Sequence, residues 1–383
     1  MSCKKFVEAD PPRHRLEFTQ VFSTDASATS AACRYYLEMA FTTLQITGGG
    51  ASIYLGLSAD ELYPTVPNLN YDPFYTNSML PDTEPIRGAT WVRAYRLIVH
   101  ANAVMEGLNQ SQTLTPSVKS QLEGEMLTGR AMSYFHLVTL FGPVPLITGT
   151  DFMQNNSAPR ADTSLIWQQM VSDLEKAVNL LKPAYPSAGK FRINRHAASA
   201  MLARVHLYRK NWEGAEAMAT TVINAGTYSL AAPAAAFAMN SPESIFHIWK
   251  ENNNTYEGNT FIPTSSTARP NLAITTSLFN AFEAGDLRKT AWINRNTVSG
   301  ITYHYPFKYK SRISPPLAEY LIVFRLAEQY LIRAEARMHK GDIQGSISDL
   351  NTIRTRAGLP SLPATLTSVQ LAIAIEQERR VEL

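Results

Sequence analysis

Ala203–Gly214 reads ARVHLYRKNWEG and Ala334–Gly345 reads AEARMHKGDIQG. The two stretches align without a gap. Each is the end of a helix, a polar turn, and the start of a second helix at Asn211 or Asp342, residue types whose side-chain oxygens suit the N-cap position. Working outward, helical periodicity dominates. Asp25 to Thr43 reads as one long helix, and Ile86 to Leu108 as another, with Trp91, Tyr95, Ile98 and Met105 at three- and four-residue spacing. Thr115 followed by Pro116 is an N-cap with proline at the first helical position, and the helix it opens runs through Leu122, Met126, Arg130, Tyr134 and Val138 until Gly142-Pro143 stops it. Thr163 to Leu181 continues the pattern until Pro183, and a further helix follows from His196.

Helix pairs joined by short turns are the pattern of tetratricopeptide repeats, yet Ala203 and Ala334 stand 131 residues apart, far beyond the period of about 34 in a tandem array. The array must be interrupted. The interruption spans roughly Thr227 to Pro316 and is rich in Asn, Thr, Ser, Pro and aromatics, as in Asn252-Asn253-Asn254-Thr255-Tyr256 and Thr302-Tyr303-His304-Tyr305. A second irregular stretch, Thr47 to Pro85, carries Tyr54, Tyr63, Tyr71, Phe74 and Tyr75 among Gly, Pro, Asn and Asp. The expected fold is mainly α: an interrupted tetratricopeptide-like helix-pair superhelix holding a loop-rich ligand-binding lobe. Long ordered loops on a rigid scaffold are where binding residues concentrate.

The 383 residues include 45% hydrophobic, 10% aromatic and only 17% charged types, enough chain for a substantial core. Thirty-five Lys and Arg against 32 Asp and Glu leave a net charge of +3, too small and too evenly spread for a nucleic-acid footprint. No stretch approaches the about 18 apolar residues of a membrane span. Two cysteines, Cys3 and Cys33, make neither a disulfide framework nor a metal site. Cys3 follows a small residue and precedes Lys4, Lys5 and a polar, Pro-containing segment, as the mature end of a bacterial lipoprotein does. A free thiol near a terminus is the plain alternative. At the other end, Thr367 to Leu383 is helical in pattern and stops with no Gly, Asn or Pro to end it, so the natural chain is expected to continue.

No constellation points to catalysis. The eight histidines include no pair at i and i+4, and there is no GxSxG, GxxxxGK[ST] or GxGxxG; no metal and no cofactor is expected. The run Glu376–Glu382 (EQERRVE), with Glu328 and Glu335, reads as a solvated or ion-paired helix face with pairs at i, i+4. Trp91, Trp167 and Trp212 lie on apolar stripes and read as packing residues. The loop aromatics differ. A sugar ring needs an aromatic plane for its C–H face and Asn, Asp or Arg for its hydroxyl rim. Segments 60–75 (DELYPTVPNLNYDPFY) and 252–271 (NNNTYEGNTFIPTSSTARPN) offer both.

Six blocks, in order, resemble the SusD-like (RagB/SusD) family of outer-membrane nutrient-binding lipoproteins. They are SCKKFVEADPP, WVRAYRLIVHANAVMEGL, LEGEMLTGRAMSYFHLVTLFGPVPLIT, the segment from RINRHAASAML to INAGTYSL, the segment from FRLAEQYLIRAEARMHKG to LNTIRTRAGLP, and AIEQERRVEL. The resemblance implies a single unit over 1–383. Within it, 1–22 is a lipoprotein start and tether, 23–226 an N-terminal helical part with a binding loop at 47–85, 227–316 a loop-rich insert, and 317–383 a C-terminal helical repeat. It implies a lipid anchor on Cys3 and a place on the outer membrane facing the cell exterior. The function it implies is non-catalytic capture of oligosaccharides for import through a partner TonB-dependent transporter. A peptide-binding lipoprotein of the same architecture is the alternative.

The stretch DELY resembles the position of a sugar-stacking aromatic in starch-binding relatives, which would give Tyr63 that role. Asn70, Tyr71 and Tyr75 lie in the same loop, and Tyr256 and Arg269 in the insert that supplies the opposite wall in relatives. The sequence departs from the family in lacking an aromatic-rich tail after ERRVEL, which fits the expectation that the natural chain continues, and in having few loop tryptophans, which argues against starch itself.

Overall fold

The structure, a computed structural model, describes residues 18–40, 45–250, 254–312 and 315–383. Cys3 lies outside the described residues. The described end of the 1–22 segment folds in: a single turn, Phe18–Val21, leads to Phe22, which is buried against Gly107.

The chain is mostly helical. Its long helices are α1 (Asp25–Met39), α2 (Arg93–Gln110), α3 (Pro116–Phe141), α4 (Thr163–Leu180), α5 (Arg195–Tyr208), α6 (Trp212–Ile223), α7 (Leu326–His339), α8 (Ile343–Arg356) and α9 (Ser368–Glu382). Their starts are written in local chemistry. Asn211 and Asp342 each accept the backbone N–H three residues on, from Gly214 and Gly345. Thr367 and Gln370 form a reciprocal capping box at α9. Thr115 is the N-cap residue of α3, but its hydroxyl donates to the Asp25 carboxylate (2.5 Å) instead of capping, which ties α3 to the first turn of α1.

Helix α3 is the hub. It is buried nearly all round, packing on α2 and α4, and Gly124 and Gly129 let Leu181 and Tyr35 close onto its backbone. A bidentate Arg130–Asp173 pair at 2.8 and 2.7 Å joins α3 to α4 inside the core. Neighbours in sequence pack in turn: α4 on α5, α5 on α6, α7 on α8. Helix α6 packs on α7, although about a hundred residues intervene, so the helix stack continues straight across the insert. At the root of the insert, β2 (Ser244–Ile248) pairs antiparallel with β6 (Leu321–Arg325).

Two expectations need correction. Ile86 to Leu108 is not one uniform α-helix: Glu84–Ile86 leads into a π-helical segment, Arg87–Val92, before α2 begins. Gly88 sits under the Glu84 carboxylate there, with no room for a Cβ. The EQERRVE run is not a solvated face with i, i+4 pairs. Glu378 and Glu382 are buried, and their partners come from elsewhere: Arg288 in the insert, Arg325 on β6, and Arg354 and Arg356 on α8. Glu328 likewise binds Arg204 of α5 through two 2.7 Å bonds. The pattern at helical spacing marked ion pairing, but α9 is wedged between α7 and the insert, so its charges meet arginines across that junction. The tryptophans pack as expected, Trp91 edge-on to Phe141 and Trp212 stacked on His339 at 3.9 Å.

Candidate functional site

The two irregular stretches meet. β1 (Leu62–Pro64) pairs antiparallel with β3 (Leu272–Ile274), with Tyr63 opposite Ala273. Thr65 donates twice to the residues just before that strand: its N–H to the Asn271 carbonyl and its hydroxyl to the Pro270 carbonyl. Because successive strand residues point to opposite faces, Leu62 enters a small core with Tyr54, Phe74, Phe261 and Leu272, while Tyr63 stands half-buried on the other face.

A hairpin of β4 (Ile293–Val298) and β5 (Ile301–Pro306) packs against β3. Its turn residues, Ser299 and Gly300, both have positive φ (52° and 78°), the backbone a two-residue hairpin turn requires. β5 carries Tyr303 to Tyr63. Burial raises the pKa of the Tyr63 phenol, and the neighbouring phenols of Tyr303 and Tyr75 add to it. Arg269 completes the group: its guanidinium lies 5.2 Å over the Tyr303 ring, and Nη1 donates to the Thr65 carbonyl at 3.2 Å. Asn296, on β4, donates to the Ser265 and Ala268 carbonyls at 2.9 and 2.7 Å and so holds the loop that presents Arg269.

Of the residues singled out from sequence, Tyr63, Tyr75 and Arg269 therefore come together. Tyr75 is 42% exposed at the end of the turn Asp72–Tyr75. Asn70 is exposed in the same loop, its N–H donating to Asn68 Oδ1 (2.9 Å). Tyr71 turns inward against the small core. Tyr256 is 8% exposed; its hydroxyl donates to the Ala40 carbonyl at 3.4 Å and the Lys250 ammonium sits 3.5 Å from its ring centroid, so its faces are already occupied. Tyr303, which supports Arg269, was not among the residues singled out from sequence. The signal was present: Tyr303 and Tyr305 alternate along a strand that follows a Ser-Gly turn.

Tyr63 and Tyr75 offer partly exposed rings and phenols and Arg269 a guanidinium, whereas Tyr303 is 7% exposed and serves as the surface on which Arg269 lies. The arrangement has no nucleophile paired with a base, and among the described residues no three His, Cys, Asp or Glu converge as a metal site. A depression of about 590 Å³ beside α8 lies elsewhere; the amides of Gln344 and Asn351 that line it already hold the Ala364 and Leu362 carbonyls.

Two family profiles match the chain. One, described as starch-binding and associating with the outer membrane, matches residues 65–207; the other, the SusD family, matches residues 247–383. Between them they take in most of the chain, which belongs to the SusD-like family. The chain is 23% identical to SusD-like protein P25 of Formosa agariphila, over 60% of this chain and 44% of that one, so it spans less than half of that relative's length. It is 24% identical to SusD-like protein P38 of the same organism, over 100% of this chain and 86% of that one. Solved structures share the fold. A SusD-like carbohydrate binding protein from Bacteroides vulgatus superposes with a TM-score of 0.80 at 20% identity, over 94% of this chain and 81% of that one. A laminarin-binding SusD-like protein superposes with a TM-score of 0.75 at 22% identity, over 94% and 88%.

Proposed function

We propose that the protein captures oligosaccharides at the cell surface without catalysing a reaction, holding them on the face formed by Tyr63, Tyr75 and Arg269, which the buried Tyr303 supports, for import through a TonB-dependent outer-membrane transporter. The observation that carries this reading is the junction of β1 and β3. It sets an aromatic plane and a guanidinium, brought from two loops 204 residues apart, on one open face of a rigid helical stack. Such a face buries the C–H side of a sugar and pairs its hydroxyls, with no group placed to break a bond. A laminarin-binding relative of the same fold supports the ligand class, and the outer-membrane association described for the family supports the location. No helix among the described residues is long and apolar enough to cross a membrane; attachment would rest on a lipid at Cys3.

A glycan and peptide array probed with the protein carrying Cys3→Ser tests the ligand class. Retention of one glycan class is expected. Signal on peptides alone would replace this reading with peptide capture, and release of reducing sugar would contradict the absence of catalysis. Palmitate labelling that is lost with Cys3→Ser, and co-purification of a barrel-sized partner from outer membranes, are the expected results for anchor and transporter.

A further inference from the structure

The insert side of the ligand face has an imbalance of charge, while the opposing segment 60–75 carries Asp60, Glu61 and Asp72. Between Ser265 and Lys310 the chain carries six Lys or Arg against two carboxylates. Both carboxylates are committed, Glu283 to Arg354 and Asp286 to Arg288. Arg288 is spent in the buried network, Lys308 caps the Glu382 and Leu383 carbonyls, and Lys310 donates to the Ala291 and Phe307 carbonyls. Arg269, Lys289 and Arg295 are left.

Arg269 is exposed and fixed in place by the Tyr303 ring and the Thr65 carbonyl, contacts that use one of its five N–H groups. Among the described residues it has no carboxylate within 4.0 Å. Of the acids on the facing segment, Glu61 binds Arg380 at 2.8 Å and Asp72 accepts the Asn68 N–H at 2.9 Å; neither these nor Asp60 pairs with Arg269. On the other face of the hairpin, Lys289 lies 4.0 Å from the Phe279 ring centroid and His304 stacks on the same ring. Burial lowers the His304 pKa, and the Arg295 and Lys289 charges lower it further. The hairpin beside the ligand face is thus a local concentration of positive charge on a molecule that is nearly neutral overall.

We infer that the glycan held on this face is acidic, carrying carboxylate or sulfate groups, and that Arg269 is the residue that binds them. The inference rests on the glycan-capture reading and adds the charge of the ligand to it. A bound neutral sugar would cover the Arg269 guanidinium without supplying a counter-charge, whereas an oxyanion offers paired acceptors that match its fork and forms bonds about twice as strong as neutral ones. Lys289 and Arg295 act at longer range, through a field that salt screens.

Titration calorimetry on the Cys3→Ser chain tests this with three probes: trigalacturonic acid, a κ-carrageenan oligosaccharide and neutral laminaritriose. The expected result is binding of at least one acidic probe about tenfold or more tighter than laminaritriose, the scale of one charge-assisted bond. That preference should shrink as NaCl rises from about 0.05 to about 0.5 M. Arg269→Gln should erase the preference at unchanged melting temperature, and Arg269→Lys should keep part of it. Equal or tighter binding of laminaritriose overturns the inference and leaves glycan capture standing. An acidic preference untouched by Arg269→Gln overturns the assignment to Arg269. Binding of none of the three overturns the inference, while the capture reading is decided separately by the glycan and peptide array.

Discussion

Arg288 and Glu382 are 94 residues apart in sequence and 2.9 Å apart in space, and both side chains are fully buried. Arg288 belongs to the insert and Glu382 to the last turn of α9. The same carboxylate also receives Arg325 from β6 and Arg356 from the end of α8. Three separate segments therefore meet on one side chain, and this is how the loop-rich lobe is fixed to the helical stack.

Removing that carboxylate takes one shared partner from three buried guanidiniums: Arg288 keeps Asp286 and Glu378, Arg325 keeps Glu243, and Arg356 is left with Glu243 at 3.9 Å. Glu382→Ala should destabilise the fold by about 3–5 kcal/mol, as breaking a buried ion pair from one side does. The urea midpoint reads it. Glu335→Ala is the contrast: its partner Arg379 is 3.7 Å away and both side chains are about a quarter exposed, so the loss should stay under about 1 kcal/mol. The neighbouring guanidiniums hold the Glu382 carboxyl well below the usual carboxylate range. Its stabilisation is therefore complete above the unfolded value near 4.5 and fades as pH falls below it.

Glu257 should titrate in the opposite sense. Burial pushes its carboxyl up to about 7, with only the Ser52 hydroxyl as side-chain partner on one oxygen and none on the other. A carboxyl raised in the folded state costs nothing below its unfolded pKa of 4.5, and its full cost is reached above pH 7. Glu257→Gln should raise the melting temperature at pH 8, by an amount corresponding to up to about 3 kcal/mol, and leave it nearly unchanged at pH 4.5. A thermal-melt series from pH 4.5 to 8 checks this.

Close approach at α3 gives a packing prediction. A Cβ at Gly129 would come within 2.6 Å of the Tyr35 ring, which is fully buried. Gly129→Ala should therefore destabilise by about 1–3 kcal/mol despite its better helix propensity. Calorimetric melting measures it.

What could be read from sequence divides along a physical line. The helix starts at Asn211 and Asp342, the proline-led start of α3 and its stop at Gly142 are each set within a few residues, and they appear where the pattern places them. The partners of Glu378 and Glu382 were not legible: a charge at helical spacing says nothing of an arginine 90 residues away. Nor was Tyr303, whose place beside Tyr63 depends on β1 pairing with β3 and on the hairpin folding onto β3. Tyr63 and Tyr256 look alike as loop tyrosines. Only the burial of Tyr256 between Ala40 and Lys250 separates a packing anchor from an open ring.

The central claim is that glycan is held against Tyr63. Titration calorimetry of the best-retained oligosaccharide with wild type and Tyr63→Ala, each checked for an unchanged melting temperature, tests it directly. The account predicts weakening by about 1–3 kcal/mol, the scale of a lost aromatic contact, with Tyr256→Phe binding as wild type. Glycan affinity unchanged in Tyr63→Ala would contradict it.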